Sequence, residues 1–273
     1  MLKLGLNSFS YHLHLEDMDN PRDAFWFLRK TLELGLDGCY LDPRHLQGWN
    51  EDLVSQIGEF CRKQGLYLEL GSGGFDFARI ARRLTLAAQF DARLVRTFIG
   101  GERQKLPEGH REKLLQSATE SFKRLAEVAK SAEVPLGIEN HEDLTSEEVI
   151  AVLQAVDSPY VRAVVDNGNC FAVWEDPVEC AEKLSPYMVG NHLKDSKYWW
   201  DEGVLQREGC ALGLGDARVA EVYPILRKAD PDMPVTLEVP TVGPYMTVKT
   251  LREEEHNVLQ SIEYVRKLEH ERS

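Results

Sequence analysis

The chain has 273 residues, of which 43% are hydrophobic and 28% are charged, a composition typical of a globular protein. Its formal net charge of −13 at pH 7 repels phosphate backbones, so nucleic acid is not expected as a partner. No apolar run approaches the roughly 18 residues of a membrane-spanning helix, and the five cysteines form no CxxC pair, which favours a cytoplasmic protein with reduced thiols.

Short apolar runs alternate with segments of helical periodicity along the whole chain. Eight runs predict strands: Leu2–Asn7, Gly38–Asp42, Leu66–Gly71, Leu94–Gly100, Pro135–Asn140, Val161–Asp166, Met188–Leu193 and Val235–Val239. Strands that alternate with helices are typical of parallel βαβ units, and eight such units favour a closed barrel. The sequence therefore predicts a single (β/α)8 TIM barrel of class α/β over residues 1–273. An open doubly wound sheet is the alternative, but no GxGxxG motif follows the first strand.

The helical segments carry boundary signals of their own. The clearest helix is predicted at about Glu108–Ser131, where apolar residues recur at helical spacing. Asn20-Pro21 and Asp176-Pro177 are typical of an N-cap followed by proline at the first helical position. One long connection, Asp195–Asp216, follows the seventh strand on the face where barrel loops usually carry function.

Four consecutive strands end in residues that are unusual in an apolar core. The fifth to eighth strands end, in order, with Glu139, Asp166, His192 and Glu238. Side chains at these strand ends converge on one pocket in a barrel, and buried carboxylates need compensating positive charge. One divalent cation is the simplest way to hold them together. The ligand set favours Mn²⁺, and Mg²⁺, Co²⁺, Fe²⁺ and Zn²⁺ are also compatible with it.

Two other interpretations explain these residues without a metal ion. They could form salt bridges with Arg96 on the fourth strand and Lys194 after the seventh, or they could be surface carboxylates at strand ends. The metal site is preferred because all four residues fall in register at the end of the barrel that carries catalytic groups.

The motifs around these residues resemble those of the xylose isomerase-like TIM-barrel superfamily, the sugar isomerases and epimerases related to the AP endonuclease fold. The resemblance rests on Ile138-Glu139-Asn140, Asp166-Asn167-Gly168-Asn169, His192-Leu193-Lys194-Asp195 and Leu237-Glu238. It implies that Glu139, Asp166, His192 and Glu238 bind one divalent metal ion. It also implies that Glu139 and Glu238 act as the catalytic acid/base pair on a small polyhydroxylated carbonyl substrate. Barrels of this type often form homo-oligomers.

The sequence departs from two branches of the superfamily. The DNA-repair branch has a histidine where Asn169 stands, and no histidine follows the Gly-rich turn at Asp216-Ala217-Arg218, so a multinuclear nuclease is not expected. Several ketose epimerases place an arginine a few residues after the metal histidine. This chain reads Ser196-Lys197-Tyr198-Trp199 there, so the epimerase pattern is incomplete at this position.

A metal ion that polarises a carbonyl group beside a hydroxyl group stabilises an enediolate, and carboxylates on either face could move its proton. The predicted function is therefore a divalent-metal-dependent isomerase or epimerase of a small sugar, keto-sugar or keto-acid. The alternative is a lyase, either a decarboxylase or a dehydratase, that acts on an oxidised sugar through the same metal site. Lys194 favours such an acidic substrate. A non-catalytic barrel that needs a partner chain is a third hypothesis, which the intact ligand residues disfavour.

Five residues near the predicted strand ends are candidates for substrate binding. They are His12, Arg96, His141, Lys194 and Trp199. For the two cationic residues the alternative is an ion pair with a site carboxylate, and for the histidines it is a hydrogen bond within a loop. Trp199 and Trp200 could form a lid over the pocket or an oligomer contact. Glu69 interrupts the third strand and is a further acid/base candidate if it faces inward.

Overall fold

Eight parallel strands close into a barrel in the computed structural model, which describes residues 2–17, 19–100, 109–242 and 249–272. In chain order the strands are β1 (Leu4–Asn7), β2 (Gly38–Leu41), β3 (Tyr67–Gly71), β4 (Leu94–Thr97), β5 (Leu136–Glu139), β6 (Val161–Asp166), β7 (Met188–Leu193), β8 (Ser196–Asp201), β9 (Val204–Gly209) and β10 (Val235–Leu237). Around the barrel the order is β1-β10-β7-β6-β5-β4-β3-β2, while β8 and β9 form a separate antiparallel hairpin. The predicted TIM-barrel fold is confirmed, and each of the eight predicted runs contains one barrel strand.

Helices alternate with the strands and pack apolar residues against them. They are α1 (His12–Leu15), α2 (Ala24–Glu33), α3 (Glu51–Gln64), α4 (Phe77–Ala88), α5 (His110–Ala132), α6 (Ser146–Val156), α7 (Pro177–Leu184), α8 (Val219–Ala229) and α9 (Leu251–Arg272). Ala118, Phe122 and Leu125 are buried along α5 at helical spacing, as the sequence predicted. The predicted first residue of that helix, Glu108, lies outside the described residues. Within the described ranges, no helix has the length and apolarity needed to cross a membrane.

Two helix starts differ in how well their sequence signals worked. α7 begins at Pro177, and the Asp176 carboxylate accepts a backbone hydrogen bond of 2.9 Å from its first turn, as predicted. The prediction at Asn20-Pro21 is wrong, because α2 begins at Ala24. Asp23 is the N-cap of that helix, and its carboxylate accepts a hydrogen bond of 2.6 Å from the backbone amide of Trp26. Asp23, rather than Asn20, thus satisfies a free backbone amide in the first turn.

The long connection after β7 contains a hairpin that the sequence did not predict. β8 and β9 pair in register from Ser196 opposite Gly209 to Asp201 opposite Val204. Aromatic residues occupy three successive positions of β8, from Tyr198 to Trp200, so the alternation of polar and apolar residues that signals a strand is absent.

Glycines on adjacent strands make room for one large ring at the amino-terminal end of the barrel. Gly38 is the register partner of both Gly5 and Tyr67. A β-carbon on Gly38 would lie 2.2 Å from the Tyr67 ring, and one on Gly5 would lie 1.9 Å from its hydroxyl oxygen. Glu69 is also buried, and it pairs there with Arg93 at 2.5 Å. It does not line the cavities at the other end of the barrel.

We expect Gly38→Ala to lower the free energy of unfolding by about 1–3 kcal/mol, the usual effect of overpacking a core, because the added methyl group meets the Tyr67 ring. Chemical denaturation of the two proteins measures the change. In a Tyr67→Ala background, which removes the ring together with its Cγ atom, the same substitution should cost much less. Equal costs in the two backgrounds would contradict this contact.

Candidate metal centre and active site

The carboxyl-terminal end of the barrel gathers ionisable side chains from three neighbouring strands. Glu139 ends β5, Asp166 ends β6 and His192 lies next to the end of β7, where it is the register partner of Asp166. One ligand atom from each residue lies within 4.8 Å of the others, and all three residues are at most 1% exposed. These three residues could together hold a metal ion.

The atoms that face one another in this group lack hydrogen-bond partners. Glu139 Oε1, Asp166 Oδ2 and His192 Nδ1 are buried, and none makes a hydrogen bond with the part of the chain that the structure describes. His192 Nδ1 lies 2.7 Å from Glu139 Oε1 and 4.0 Å from Asp166 Oδ2, but neither contact has hydrogen-bond geometry. Because buried polar atoms are nearly always satisfied, one nitrogen and two carboxylate oxygens that converge in this way fit a divalent cation.

Glu238, the fourth predicted ligand, lies beside this group. It follows β10, and its Oε2 lies 3.4 Å from His192 Nδ1. The same oxygen accepts a hydrogen bond of 2.6 Å from Asn7 Nδ2, and Oε1 lies 2.5 Å from Lys194 Nζ. The carboxylate is thus shared between the histidine, an amide and a lysine, and its role as a metal ligand stays a prediction.

Two buried cations are paired with the carboxylates of this cluster. Arg96, on β4, donates a hydrogen bond to Glu139 Oε2, and Lys194 Nζ lies 3.0 Å from Asp166 Oδ2. Both cationic side chains are 8% exposed. The ion pairs that the sequence offered as an alternative to a metal ion are therefore present. They do not exclude a metal ion, because they leave the inner atoms of the cluster without hydrogen bonds.

The pKa values within the cluster move in opposite directions. Burial alone would raise the pKa of Glu139, but the charges of Arg96 and His192 hold it well below its usual value. Burial and the neighbouring carboxylates raise the pKa of Asp166 above its usual value. Burial alone would lower the pKa of His192, and the adjacent Glu139 raises it. One carboxylate is thus pushed toward its neutral form, so the cluster can accommodate further positive charge.

Asparagines next to two of these carboxylates fix the strand ends. Asn140 donates to the carbonyl oxygen of Asp166 at 2.8 Å and accepts from its amide at 2.9 Å. Asn167 makes the same pair of hydrogen bonds with Lys194, both at 3.0 Å. The sequence analysis missed these positioning roles. The signal was that an asparagine directly follows the carboxylate at the end of each of two successive strands.

A third polar contact fixes the loop that follows β7. The Asp195 carboxylate accepts hydrogen bonds from the amides of Gly213, Gly215 and Ala217 at 2.9–3.0 Å. A β-carbon on Gly215 would lie 2.3 Å from Asp195 Oδ1, so only glycine permits this close approach. The loop therefore returns to the barrel at a fixed position beside Lys194.

A cavity of about 640 Å³ opens above the cluster. Three of the predicted substrate-binding residues, Arg96, His141 and Lys194, line it. The His141 ring is stacked on Phe98, with ring centroids 4.5 Å apart. These three residues are therefore placed where a substrate above the cluster would lie.

An adjoining cavity of about 680 Å³ lies beside the β8–β9 hairpin. It shares Lys194 and Glu238 with the first cavity, and Tyr198 and Trp200 line it from the hairpin. Tyr198 donates a hydrogen bond of 2.6 Å to a backbone carbonyl in the loop after β6, and Trp200 stacks on Trp174 with ring centroids 5.3 Å apart. The hairpin is thus tied to that loop along one side of the site.

Two of the predicted substrate-binding residues lie elsewhere. His12 Nδ1 lies 3.3 Å from the buried carboxylate of Glu254, next to a separate cavity. Trp199 lines neither cavity above the cluster, because successive side chains of β8 point to opposite faces and Tyr198 and Trp200 take the inner one. We therefore propose no substrate contact for His12 or Trp199.

The profile of the xylose isomerase-like TIM barrel family matches residues 28–268. The chain belongs to this family. The superfamily that the strand-end motifs indicated is thereby confirmed.

Individual relatives within this fold include enzymes of two reaction types. The 3-oxo-isoapionate decarboxylase of Pectobacterium atrosepticum is 27% identical over 218 residues, which cover 78% of this chain and 77% of that protein. D-psicose 3-epimerase has the same fold, with a TM-score of 0.76 and 16% identity over 98% of this chain and 99% of that one. The IOLI protein, whose structure contains a zinc atom, has a TM-score of 0.72 and 15% identity over 98% of both chains. The chain is thus similar to sugar-processing enzymes.

We expect the purified protein to bind about one divalent ion per chain, as a mononuclear site requires. Asp166→Asn should weaken Mn²⁺ binding by more than the roughly 10–100-fold seen when only a residue that supports a ligand is changed, because it alters a ligand atom itself. Elemental mass spectrometry and calorimetric titration with Mn²⁺ and Zn²⁺ measure both quantities.

The matched control for this experiment is Glu69→Gln, since Glu69 is another buried carboxylate inside the barrel but lies at its opposite end. This variant should keep the metal stoichiometry of the wild type. A wild-type protein that takes up neither ion would contradict the metal site. The cluster would then be a charge network held by Arg96 and Lys194.

Proposed function

We propose that the protein is a divalent-metal-dependent lyase that removes CO₂ from a small oxidised sugar, a sugar acid with a ketone next to its α-carbon. The observation that carries this proposal is the position of Lys194. Its ammonium group is buried between the carboxylates of Asp166, at 3.0 Å, and Glu238, at 2.5 Å. The same residue lines both cavities above the cluster.

The formal charges of the cluster suit an anionic substrate. Three carboxylates, those of Glu139, Asp166 and Glu238, face the two cations Arg96 and Lys194. A divalent ion among the carboxylates, with the histidine neutral as a ligand, would change the net charge from negative to positive. A buried net positive charge is unfavourable unless an anion compensates it. One substrate carboxylate supplies that compensation, whereas a neutral ketose does not.

The similarity to 3-oxo-isoapionate decarboxylase supports the same class of reaction for this chain. The IOLI structure, with its zinc atom, is an example of this fold holding a divalent ion, and it does not select one metal for this chain. Mn²⁺ stays the ion that we favour, because carboxylate oxygens dominate the proposed ligand set of Glu139, Asp166, His192 and Glu238.

The residues of the cluster have distinct roles in this reaction. A divalent ion held by Glu139, Asp166 and His192 would act as a Lewis acid toward the ketone oxygen. The bond between the carboxyl carbon and the α-carbon breaks, its electron pair forms an enolate, and CO₂ leaves. Lys194 stabilises the negative charge of the enolate and donates a proton to the α-carbon. The neutral amine that results then recovers a proton from solvent through the cavity, with Glu238 in contact to pass it on.

An isomerase or epimerase, the function first predicted from the sequence, would use the same ligands. Glu139 and Glu238 would then remove and return a substrate proton from opposite sides. The similarity to D-psicose 3-epimerase, at 16% identity, extends to the fold alone. The net positive charge that the cluster would have with a divalent ion disfavours this reaction, because a neutral ketose brings no negative charge to compensate it.

We expect the Mn²⁺-loaded protein to release CO₂ from a panel of 3-oxo sugar acids and to leave neutral ketoses unchanged. Mass spectrometry of the products detects the loss of CO₂ directly. Products of unchanged mass would establish the isomerase or epimerase in its place, and loss of water alone would establish a dehydratase.

We expect Lys194→Met to lower kcat/KM for decarboxylation by about 10²–10⁴-fold, the contribution typical of a general acid, while the protein still binds its metal ion. The matched control is Lys197→Met, because Lys197 lies three residues further on and is exposed. Steady-state kinetics with metal analysis of each variant makes the comparison. Unchanged kinetics in Lys194→Met would remove this residue from the mechanism.

A further inference from the structure

One wall of the 640 Å³ cavity carries positive charge that no carboxylate of the described residues balances. Among the residues that the structure describes, six cationic ones line this cavity: Arg44, Arg79, Arg83, Arg96, Lys194 and Arg207. Four of them pair with carboxylates, as Arg44 with Asp42, Arg96 with Glu139, Lys194 with Asp166 and Glu238, and Arg207 with Glu142. Within the described ranges, Arg79 and Arg83 have no carboxylate in salt-bridge contact.

The two unpaired arginines form a fixed pair. They lie one turn apart on α4, on the same side of the helix. Arg79 Nη2 donates to the carbonyl oxygen of Gly73 at 2.8 Å, and Arg83 Nη1 donates to Ser72 Oγ at 2.7 Å. The Arg83 guanidinium also lies over the Trp49 ring, 4.6 Å from its centroid. These contacts hold both groups against the loop after β3 and leave several N–H donors of each guanidinium available for a ligand.

The electrostatics of the pair favour an anion between the two side chains. Burial and the charge of Arg79 lower the pKa of Arg83 to about 10. Like charges one helical turn apart destabilise each other, and an anion that contacts both removes the repulsion. The same cavity therefore offers a second positively charged position, separate from the one at Lys194.

Ser72 connects this position to the reaction centre. Its hydroxyl group contacts Arg83, and its carbonyl oxygen accepts a hydrogen bond of 3.4 Å from Arg96 Nη1. Arg96 in turn contacts Glu139. The arginine pair is thus a short chain of contacts away from the candidate metal ligands, and it lines the same cavity as Arg96 and Lys194, so one extended molecule in that cavity could reach both positions.

We infer that Arg79 and Arg83 bind a phosphate monoester at the end of the substrate that lies away from the metal ligands. The inference rests on the proposed function, in which the other end of the same molecule carries the ketone and the carboxylate. A phosphate monoester carries a charge of roughly −1.5 to −2 at neutral pH, which matches two unpaired guanidinium groups. Its oxygens also fit the forked N–H donors of arginine. A carboxylate also accepts hydrogen bonds from arginine but carries a smaller charge than a phosphate monoester.

Calorimetric titration of the purified protein with 6-phosphogluconate and with gluconate tests this inference. The phosphorylated compound should bind at least ~10-fold more tightly, as expected for hydrogen bonds to a charged group. Arg79→Met and Arg83→Met should each remove most of that difference, because methionine keeps the apolar stem and loses the charge. Arg82→Met is the matched control, since Arg82 lies on the same helix, pairs with Glu51 and is 75% exposed. It should bind both compounds like the wild type.

Two results would overturn the inference. One is equal affinity of the wild type for the two compounds, and the other is an effect of Arg82→Met as large as that of Arg83→Met. Arg83→Lys covers the case in which Arg83→Met unfolds, since it keeps the charge over Trp49 and should show intermediate affinity for 6-phosphogluconate. If Arg83→Lys binds gluconate and 6-phosphogluconate with the same affinity, the result would count against the site.

This binding measurement is independent of turnover. If the protein prefers 6-phosphogluconate through Arg79 and Arg83 but releases no CO₂ from any sugar acid, the phosphate site would be supported and the proposed reaction refuted. Conversely, an Arg83→Met variant that decarboxylates a phosphorylated 3-oxo sugar acid with wild-type kcat/KM would support the reaction and refute the phosphate site.

Discussion

Three carboxylates buried side by side at the mouth of the barrel repel one another, and the surrounding side chains are arranged around that repulsion. Arg96 from β4 and Lys194 from the end of β7 each approach a different carboxylate. The repulsion is not fully compensated, because the pKa of Asp166 is still raised. Within the described ranges, the facing atoms of Glu139, Asp166 and His192 also make no hydrogen bond. Buried ion pairs are weak evidence for stability, so this cluster is better explained by what it binds than by folding.

Like charges stay close only if the strands that carry them cannot move apart. Asn140 and Asn167 supply that restraint, because the side-chain amide of each makes two hydrogen bonds with the backbone at the end of the next strand. Asp195 does the same for the loop that follows. These contacts hold the backbone without using the charged side chains of the cluster. The Lys194 ammonium group could therefore turn from a carboxylate to a substrate while the strands keep their register.

The fold was predictable because strand-length apolar runs and helical stripes alternate along the chain, and the cluster was predictable because a barrel brings successive strand ends together. The β8–β9 hairpin was not, since its three successive aromatic residues hide the alternation. Without that register, Trp199 could not be distinguished from Trp200 as the residue facing the cavity. Arg79 and Arg83 were missed because they belong to a helix, and their position over the cavity depends on how α4 packs.

The two parts of the site come from different sides of the barrel. The candidate metal ligands belong to β5, β6, β7 and the residue after β10, whereas Ser72, Arg79 and Arg83 belong to the β3–α4 unit. Changes in one sector of the ring need not disturb the other. Substitutions in the β3–α4 unit can therefore change which substrate binds while the metal ligands stay the same. A site divided in this way allows the preferred substrate to change while the type of reaction is kept.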